Sequence, residues 1–148
     1  MNEPYILMVE DNESDEELAI LAFRRAKISN EVVVVRDGQE ALDYLFATGN
    51  FVARDSSRVP AVVLLDLHLP KVDGLEVLQR LRQDERTKLL PVVILTSSRL
   101  DQDRLASYVG GANSFVTKPI EFHEFAEAVG SLGLYWLLLN APPPPPDA

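Results

Sequence analysis

Four short apolar runs in this 148-residue chain predict buried β-strands. They span residues 5–10, 31–35, 61–66 and 91–96, and they are rich in β-branched residues and continuously apolar rather than alternating. Strands of this kind are typical of parallel sheets, in which helices cover both faces. A weaker run at 114–117 follows them. The chain is therefore predicted to form a buried, parallel sheet of five strands.

Helix-like segments alternate with these runs. Ser14 opens a capping-box pattern, and Asp73 precedes a stretch with leucines at helical spacing. Asp101 begins another segment, which Gly110-Gly111 end, and an apolar stripe runs along residues 122–136. Strict alternation of strands and helices predicts a doubly wound α/β domain, with right-handed crossovers that place helices on both faces.

Polar residues end four of the five runs. Glu10 and Asp11 follow the first, Asp66 the third, Thr96 the fourth and Lys118 the fifth. Because the carboxyl ends of parallel strands share one edge of the sheet, these side chains are expected to meet there. Each residue alone has an ordinary structural explanation, such as helix capping or β propensity. Together they predict a site for a divalent cation and a phosphoryl group.

Asp66 is the candidate nucleophile, because an aspartate carboxylate can take a phosphoryl group as an acyl phosphate. Mg²⁺ would relieve the repulsion between this carboxylate and the incoming group, with oxygen ligands from Asp11, Asp66, a backbone carbonyl and water. Crowding with Glu10 disfavours ionisation of these acids, which cation binding also relieves. Lys118 can bind a phosphoryl oxygen as a point charge, and Thr96 can donate a hydroxyl hydrogen bond.

The composition excludes several classes of protein. A formal net charge of −9 argues against binding to nucleic acid or to a membrane surface. The chain has no cysteine, which excludes disulfides, thiolate metal sites and a cysteine nucleophile. Glu3 and Pro4 stand where a signal peptide would be basic, and the apolar run 134–139 is too short to span a bilayer. We expect one cytoplasmic domain without nucleic-acid or membrane partners.

Five segments resemble, in order, the motifs of the receiver domain of two-component response regulators: 9–12, 65–70, 73–74, 95–97 and 118–119. The resemblance covers nearly the whole chain. It implies a flavodoxin-like (CheY-like) fold with strand order 2-1-3-4-5. It also implies a single-domain response regulator that accepts a phosphoryl group from a sensor histidine kinase, signals by a conformational or dimerisation change, and catalyses only its own phosphorylation and dephosphorylation.

The resemblance assigns roles to individual residues. Asp66 would be the phosphoacceptor and would also be a ligand of Mg²⁺. Thr96 and Lys118 would bind the phosphoryl group. Phe115 stands where the family has an aromatic residue that turns inward when the threonine moves. Pro119 resembles the proline that follows the family lysine, often through a cis peptide bond. The ligands implied for Mg²⁺ are Glu10, Asp11, Asp66 and the main-chain carbonyl of His68.

The side chains of the two histidines have different interpretations. His68 follows the nucleophile by two positions, so its imidazole is expected to point across the site mouth and to tune water access and acyl-phosphate lifetime rather than to bind metal. His123 is interpreted as a solvated helix residue.

Two segments depart from a minimal receiver. The loop 48–60 resembles that of receivers paired with phytochrome-type kinases, which also lack an output domain, but a tolerated surface insertion explains it equally well. The side chains of 134–139 cannot all face the core, which predicts a partner surface and a homodimer through the C-terminal helix region. We expect a receiver domain over 1–140 and a proline-rich tail over 141–148 with polyproline II conformation.

Two other functions are compatible with part of this pattern. A phosphohydrolase of the haloacid dehalogenase type also uses an aspartate nucleophile, but it resembles Asp-x-Asp, and His68 occupies the second position here. A flavin-binding module of flavodoxin-like shape would not need Asp11, Asp66, Thr96 and Lys118 together.

Overall fold

The computed structural model describes residues 3–119 and 121–144. Five strands alternate with five α-helices, and the predicted elements are all present. The strands are β1 (Ile6–Val9), β2 (Val32–Val35), β3 (Val62–Leu65), β4 (Val92–Thr96) and β5 (Ser114–Thr117). The helices are α1 (Glu13–Arg25), α2 (Gly38–Phe46), α3 (Gly74–Gln83), α4 (Asp101–Val109) and α5 (Phe122–Leu134). A 3₁₀ turn at Gly49–Phe51 and a π-helical turn at Tyr135–Leu139 complete the set.

The sheet has the order β2-β1-β3-β4-β5, and each neighbouring pair of strands is parallel. This confirms the predicted flavodoxin-like topology. Val9 pairs with Val35 on one side and with Leu65 on the other. Because β1 and β3 end in register, the residues that follow them, Glu10 and Asp66, are neighbours at the carboxyl edge.

The core has two parts, one on each face of the sheet. Successive residues of β1 alternate between them: Leu7 and Val9 belong to the cluster with α2 and α3, and Ile6 and Met8 belong to the cluster with α1 and α5. This explains why β1, β2 and β3 are apolar at every position. The edge strands β2 and β5 are only partly buried over most of their length, because each has a single neighbouring strand.

The first helix begins earlier than predicted, so the interpretation of Ser14 as its start is wrong. Asn12 is the N-cap, and its Oδ1 accepts a hydrogen bond from the Asp15 backbone N–H at 2.9 Å. An N-cap side chain satisfies the donor three residues further on. Asp15 therefore occupies the third position of the helix, a placement that matters for the site.

The helix after β3 starts where the sequence predicted. Asp73 is its N-cap, and Oδ1 accepts from the Glu76 N–H at 3.0 Å. The next residue, Gly74, has no space for a side chain, because a Cβ there would lie 2.2 Å from the Asp66 carbonyl oxygen. This close approach seats the start of α3 against the segment that carries Asp66.

The loop 48–60 packs against the protein through Arg54. Its Nε donates to the Tyr44 carbonyl at 2.6 Å and its Nη1 to the Arg58 carbonyl at 2.8 Å, and the guanidinium lies 4.1 Å from the Tyr44 ring centroid. The Arg58 carbonyl also accepts from Tyr5 Oη, just before β1. The loop is thus held at the amino ends of the strands, at the edge opposite Asp66.

The C-terminal end leaves apolar side chains exposed, as predicted. Leu137 is buried against the α1–α5 cluster, whereas Leu138 and Leu139 are 68% and 75% exposed. Residues 141–144 form no helix or strand, and residues 145–148 of the expected polyproline tail lie outside the described residues. Across 3–119 and 121–144, none of the helices has both the length and the hydropathy to cross a bilayer.

Candidate functional site

Two buried carboxylates lie side by side at the carboxyl edge of the sheet. The Glu10 N–H donates to the Val35 carbonyl at 3.0 Å, and the Asp66 N–H donates to the Val9 carbonyl at 3.2 Å. The sheet hydrogen bonds therefore continue through both residues and fix their backbones. Glu10 is 1% and Asp66 6% exposed. Two acids buried in contact need a compensating cation.

Lys118 supplies that positive charge. It follows β5, and its N–H donates to the Thr96 carbonyl at 2.7 Å, which anchors the lysine beside β4. The ammonium makes three ion pairs: Nζ lies 2.6 Å from Glu10 Oε1, 2.9 Å from Asp15 Oδ2 and 3.0 Å from Asp66 Oδ2. All three ammonium hydrogens thus have carboxylate acceptors.

Asp15 is a site residue that the sequence interpretation missed. A helix start at Ser14 places Asp15 in the first helical position, where no contact with the strand edge is evident. The signal that could have found it is Asn12, a strong N-cap residue immediately after the acidic pair. With Asn12 as N-cap, Asp15 falls on the first turn of α1 that faces Lys118.

Burial and charge set the ionisation of this group. Desolvation raises the pKa of Glu10 to about 7, despite the opposing hydrogen bond from Lys118. Burial alone would lower the pKa of the Lys118 ammonium, but hydrogen bonds to Asp15 and Glu10 and the charge of Asp66 outweigh it and raise that pKa. The lysine is therefore held protonated, and the buried Glu10 carboxyl binds a proton more tightly than an ordinary glutamate does.

Three acids form a cluster with the dimensions of a cation site. Carboxylate oxygens of Glu10, Asp11 and Asp66 all lie within 4.8 Å of one another, and Asp11 is exposed to solvent. Hard divalent cations prefer carboxylate oxygens, and an exposed member leaves room for water ligands. The donor set fits a divalent cation, and a bound cation would relieve the repulsion between these neighbouring carboxylates.

Thr96 is fully buried at the end of β4, the strand next to β3. Its Oγ1 accepts from the Ser98 N–H at 3.2 Å, and Ser98 Oγ donates to Asp103 Oδ2 at 2.6 Å. Ser98 Oγ also accepts from the Leu100 N–H at 3.3 Å. The hydroxyl that the sequence singled out is thereby connected to the first turn of α4, through two residues that the sequence interpretation did not name.

The His68 side chain lies near Asp103, the last residue of the hydrogen-bonded series that begins at Thr96. It is 69% exposed, and Nε2 is 4.0 Å from Asp103 Oδ2. The His68 backbone N–H donates to Asp66 Oδ1 at 3.3 Å. Among the described residues, the acidic cluster does not include the imidazole. The side chain thus points toward the start of α4, at the mouth of the site.

Phe115 and Pro119 complete the predicted set. Phe115 is half-buried and packs against the core cluster on the α2–α3 face. The described residues contain no cis peptide bond, and this includes the bond between Lys118 and Pro119. The cis bond that the resemblance suggested is therefore not found; the trans isomer is the intrinsically preferred one before proline.

The family model named response regulator receiver domain matches residues 6–130, which is most of the chain. Two relatives align over nearly their full length. One is the probable methanogenesis regulatory protein FilR2 of Methanothrix harundinacea, 40% identical over 95% of this chain and 88% of the relative. The other is response regulator Rcp1 of Synechocystis, 36% identical over 89% of this chain and 88% of the relative.

Solved structures agree with the fold. The Mn(2+)-bound form of Rcp1 has a TM-score of 0.87 at 33% identity and covers 95% of this chain and 99% of its own. The phosphorylated cyanobacterial phytochrome response regulator RcpA has a TM-score of 0.89 at 35% identity, over 97% of this chain and all of its own. The bacteriophytochrome response regulator RtBRR is 52% identical, with a TM-score of 0.76 over 97% of this chain and 86% of its own. The chain belongs to the response regulator receiver domain family and is a response regulator of a two-component system.

Proposed function

We propose that this response regulator accepts a phosphoryl group on Asp66 from the phosphohistidine of a sensor kinase. One observation carries the proposal: the buried Asp66 carboxylate lies in a cation-sized cluster with buried Glu10 and exposed Asp11, and the Lys118 ammonium lies 3.0 Å from Asp66. A carboxylate oxygen of Asp66 would attack phosphorus, a P–O bond would form, and the P–N bond to the kinase imidazole would break.

The neighbouring side chains have distinct roles in this proposal. Lys118 would exchange contact with Asp66 for an ion pair with a phosphoryl oxygen, since its ammonium is a point charge on a flexible stem. Thr96 would donate its hydroxyl hydrogen to another phosphoryl oxygen. Phe115 and Pro119, on and after β5, would change conformation as the Thr96 side of the site rearranges. The Asp103–His68 pair at the mouth would limit the entry of water and so lengthen the life of the acyl phosphate.

We further propose Mg²⁺ as the cation. Glu10, Asp11, Asp66 and the main-chain carbonyl of His68 would hold it, and when bound it supplies neutralisation of the negative charge on the carboxylates and the phosphoryl oxygens. The oxygen donor set supports a divalent cation at this place. A similar protein, Rcp1, has a Mn(2+)-bound form, which supports divalent-cation binding in general.

We propose a phytochrome-type kinase as the partner, in the cytoplasm. RcpA and RtBRR, two similar structures, are described as phytochrome and bacteriophytochrome response regulators.

The proposed receiver domain is 1–140 and the tail is 141–148. Leu138 and Leu139, exposed at the end of α5, support a homodimer through the C-terminal region. Because His68 stands where a haloacid dehalogenase would carry its second aspartate, no turnover of small phosphate esters is proposed.

The test of the function is phosphoryl transfer to the native protein and to Asp66→Asn. With Mg²⁺ and acetyl phosphate, we expect intact mass to rise by one phosphoryl group in the native protein and in the control Asp37→Asn, but not in Asp66→Asn. Unfolding curves establish that each variant folds. Stoichiometric incorporation into Asp66→Asn would refute the assignment.

A further inference from the structure

The N-cap arrangement of α1 leaves one acid free to hold Lys118. In a capping box, the acid at the third helical position reaches back to the N-cap backbone N–H. Here the Asn12 N–H donates to Glu10 Oε2 at 3.1 Å instead. Asp15, at that third position, is thereby released from the capping role, and its Oδ2 lies 2.9 Å from Lys118 Nζ.

The three acids around Lys118 differ in what else they bind. Glu10 and Asp66 belong to the cluster whose oxygens lie within 4.8 Å and fit a cation; within the described part of the chain, Asp15 is not in that cluster. A carboxylate that coordinates a cation is a weaker acceptor for the ammonium. If a cation occupied the cluster, Asp15 would be the acid of the three that keeps its oxygens for Lys118.

We propose that Asp15 is a positioning residue that holds the Lys118 ammonium beside Asp66 in the cation-loaded protein. This inference rests on the proposed function of the same site. The lysine stem has four rotatable bonds, so an ammonium released by Glu10 and Asp66 would otherwise sample many rotamers. Asp15 lies on a rigid helix turn fixed by the Asn12 cap, and it restrains Nζ where a phosphoryl oxygen would arrive.

Asp15 also joins the site to a helix. It lies in the first turn of α1, and α1 packs against α5, the helix that leads into the exposed C-terminal leucines. Its side chain is 26% exposed, compared with 8% for Lys118, so it lies at the outer side of the lysine. The Lys118–Asp15 ion pair thus connects the acidic site to the first turn of α1.

The test compares Asp15→Asn with Asp15→Glu and Glu13→Gln. Glu13→Gln is the matched control, because Glu13 is an exposed acid in the same first turn and its replacement removes the same charge from the helix N-terminus. The first measurement is acetylation of Lys118 by an amine-reactive ester in Mg²⁺, followed by peptide mass spectrometry. We expect about a 10-fold faster reaction in Asp15→Asn, with native rates in Glu13→Gln and an intermediate rate in Asp15→Glu.

A second measurement is the affinity for beryllium fluoride, a phosphoryl mimic, beside the affinity for Mg²⁺ alone. Asp15→Asn should lower the affinity for beryllium fluoride by about 10-fold. The affinity for Mg²⁺ should change much less, because all ligands of the proposed cation remain. Equal Lys118 acetylation in Asp15→Asn and Glu13→Gln would overturn the positioning role. Acetylation requires no phosphoryl transfer, so this outcome is distinct from failure of the native protein to accept a phosphoryl group, which would instead refute the proposed function.

Discussion

Lys118 Nζ lies 3.0 Å from Asp66 Oδ2, although 52 residues separate the two in sequence. The same ammonium contacts Glu10 and Asp15, so a single positive charge compensates several acids at the sheet edge. In the absence of a bound cation, Lys118 is therefore the counter-charge of these acids, and its removal would leave them uncompensated. This role leads to the first prediction.

Replacing Lys118 by Met should destabilise the metal-free protein by about 3 kcal/mol at neutral pH, because it leaves buried carboxylates without a counter-charge. Mg²⁺ should restore much of this loss by supplying positive charge at the same acids. Urea unfolding with EDTA and with Mg²⁺ measures both effects. Lys88→Met is the control, since Lys88 pairs with Glu85 at the surface and should cost less than about 1 kcal/mol. Equal losses in the two variants would contradict the prediction.

Glu10 should make the metal-free protein less stable as pH rises. Its folded pKa, about 7, lies above the unfolded value of 4.5, so the folded state binds the proton more tightly. The resulting stabilisation is complete below pH 4.5 and is lost as pH rises through 7. The stability of Glu10→Gln, which resembles the protonated form, should therefore increase relative to that of the native protein by about 3 kcal/mol between about pH 4.5 and about pH 8.

Urea unfolding in EDTA at several pH values measures this difference. Groups that face Glu10, namely Lys118, Asp66, Asp11 and Asp15, are present in both proteins. The difference between the two stability profiles therefore reports the replacement of the Glu10 carboxyl. Parallel stability profiles for the native protein and Glu10→Gln would show that the Glu10 carboxyl is not perturbed as described.

Arg54 should stabilise the loop 48–60 without affecting the acidic site. Arg54→Lys keeps the charge but loses the planar fork that donates to the Tyr44 and Arg58 carbonyls. We expect a loss of about 1–2 kcal/mol in urea unfolding and faster proteolysis within the loop. Phosphoryl acceptance should stay at the native rate, because the loop lies at the opposite edge. Arg80→Lys, at an exposed ion pair with Glu76, is the control, and an equal loss there would contradict the role of Arg54.

The exposed leucines at the C-terminal end should mediate self-association. Leu138→Glu combined with Leu139→Glu places charges on the proposed interface without touching the buried Leu137. Light scattering with Mg²⁺ and beryllium fluoride should give a dimer mass for the native protein and a monomer mass for the double variant. Val52→Glu, an exposed apolar residue of the loop 48–60, should leave the mass unchanged. A dimer mass for the double variant would exclude this surface.

The sequence by itself determined the sheet. Continuous apolar runs such as 61–66 predict strands buried on both faces, and their alternation with capped helices leaves few parallel topologies. It also placed Glu10, Asp66, Thr96 and Lys118 at the strand ends, because side chains that follow parallel strands share one edge. Those inferences depend on apolar runs and on the polar residues that directly follow them, and both can be recognised in the sequence alone.

Only the tertiary structure decided which atoms meet at that edge. Asp15 contacts Lys118 because the helix starts at the Asn12 cap, and a shift of two residues in a helix start turns a side chain by about half a turn. The Ser98–Asp103 hydrogen bond and the seating of Arg54 depend likewise on where loops lie in space. The Asn12 cap is a local signal for the start of the helix, but the meeting of Asp15 with Lys118, like the other two contacts, is set by packing across the whole sheet.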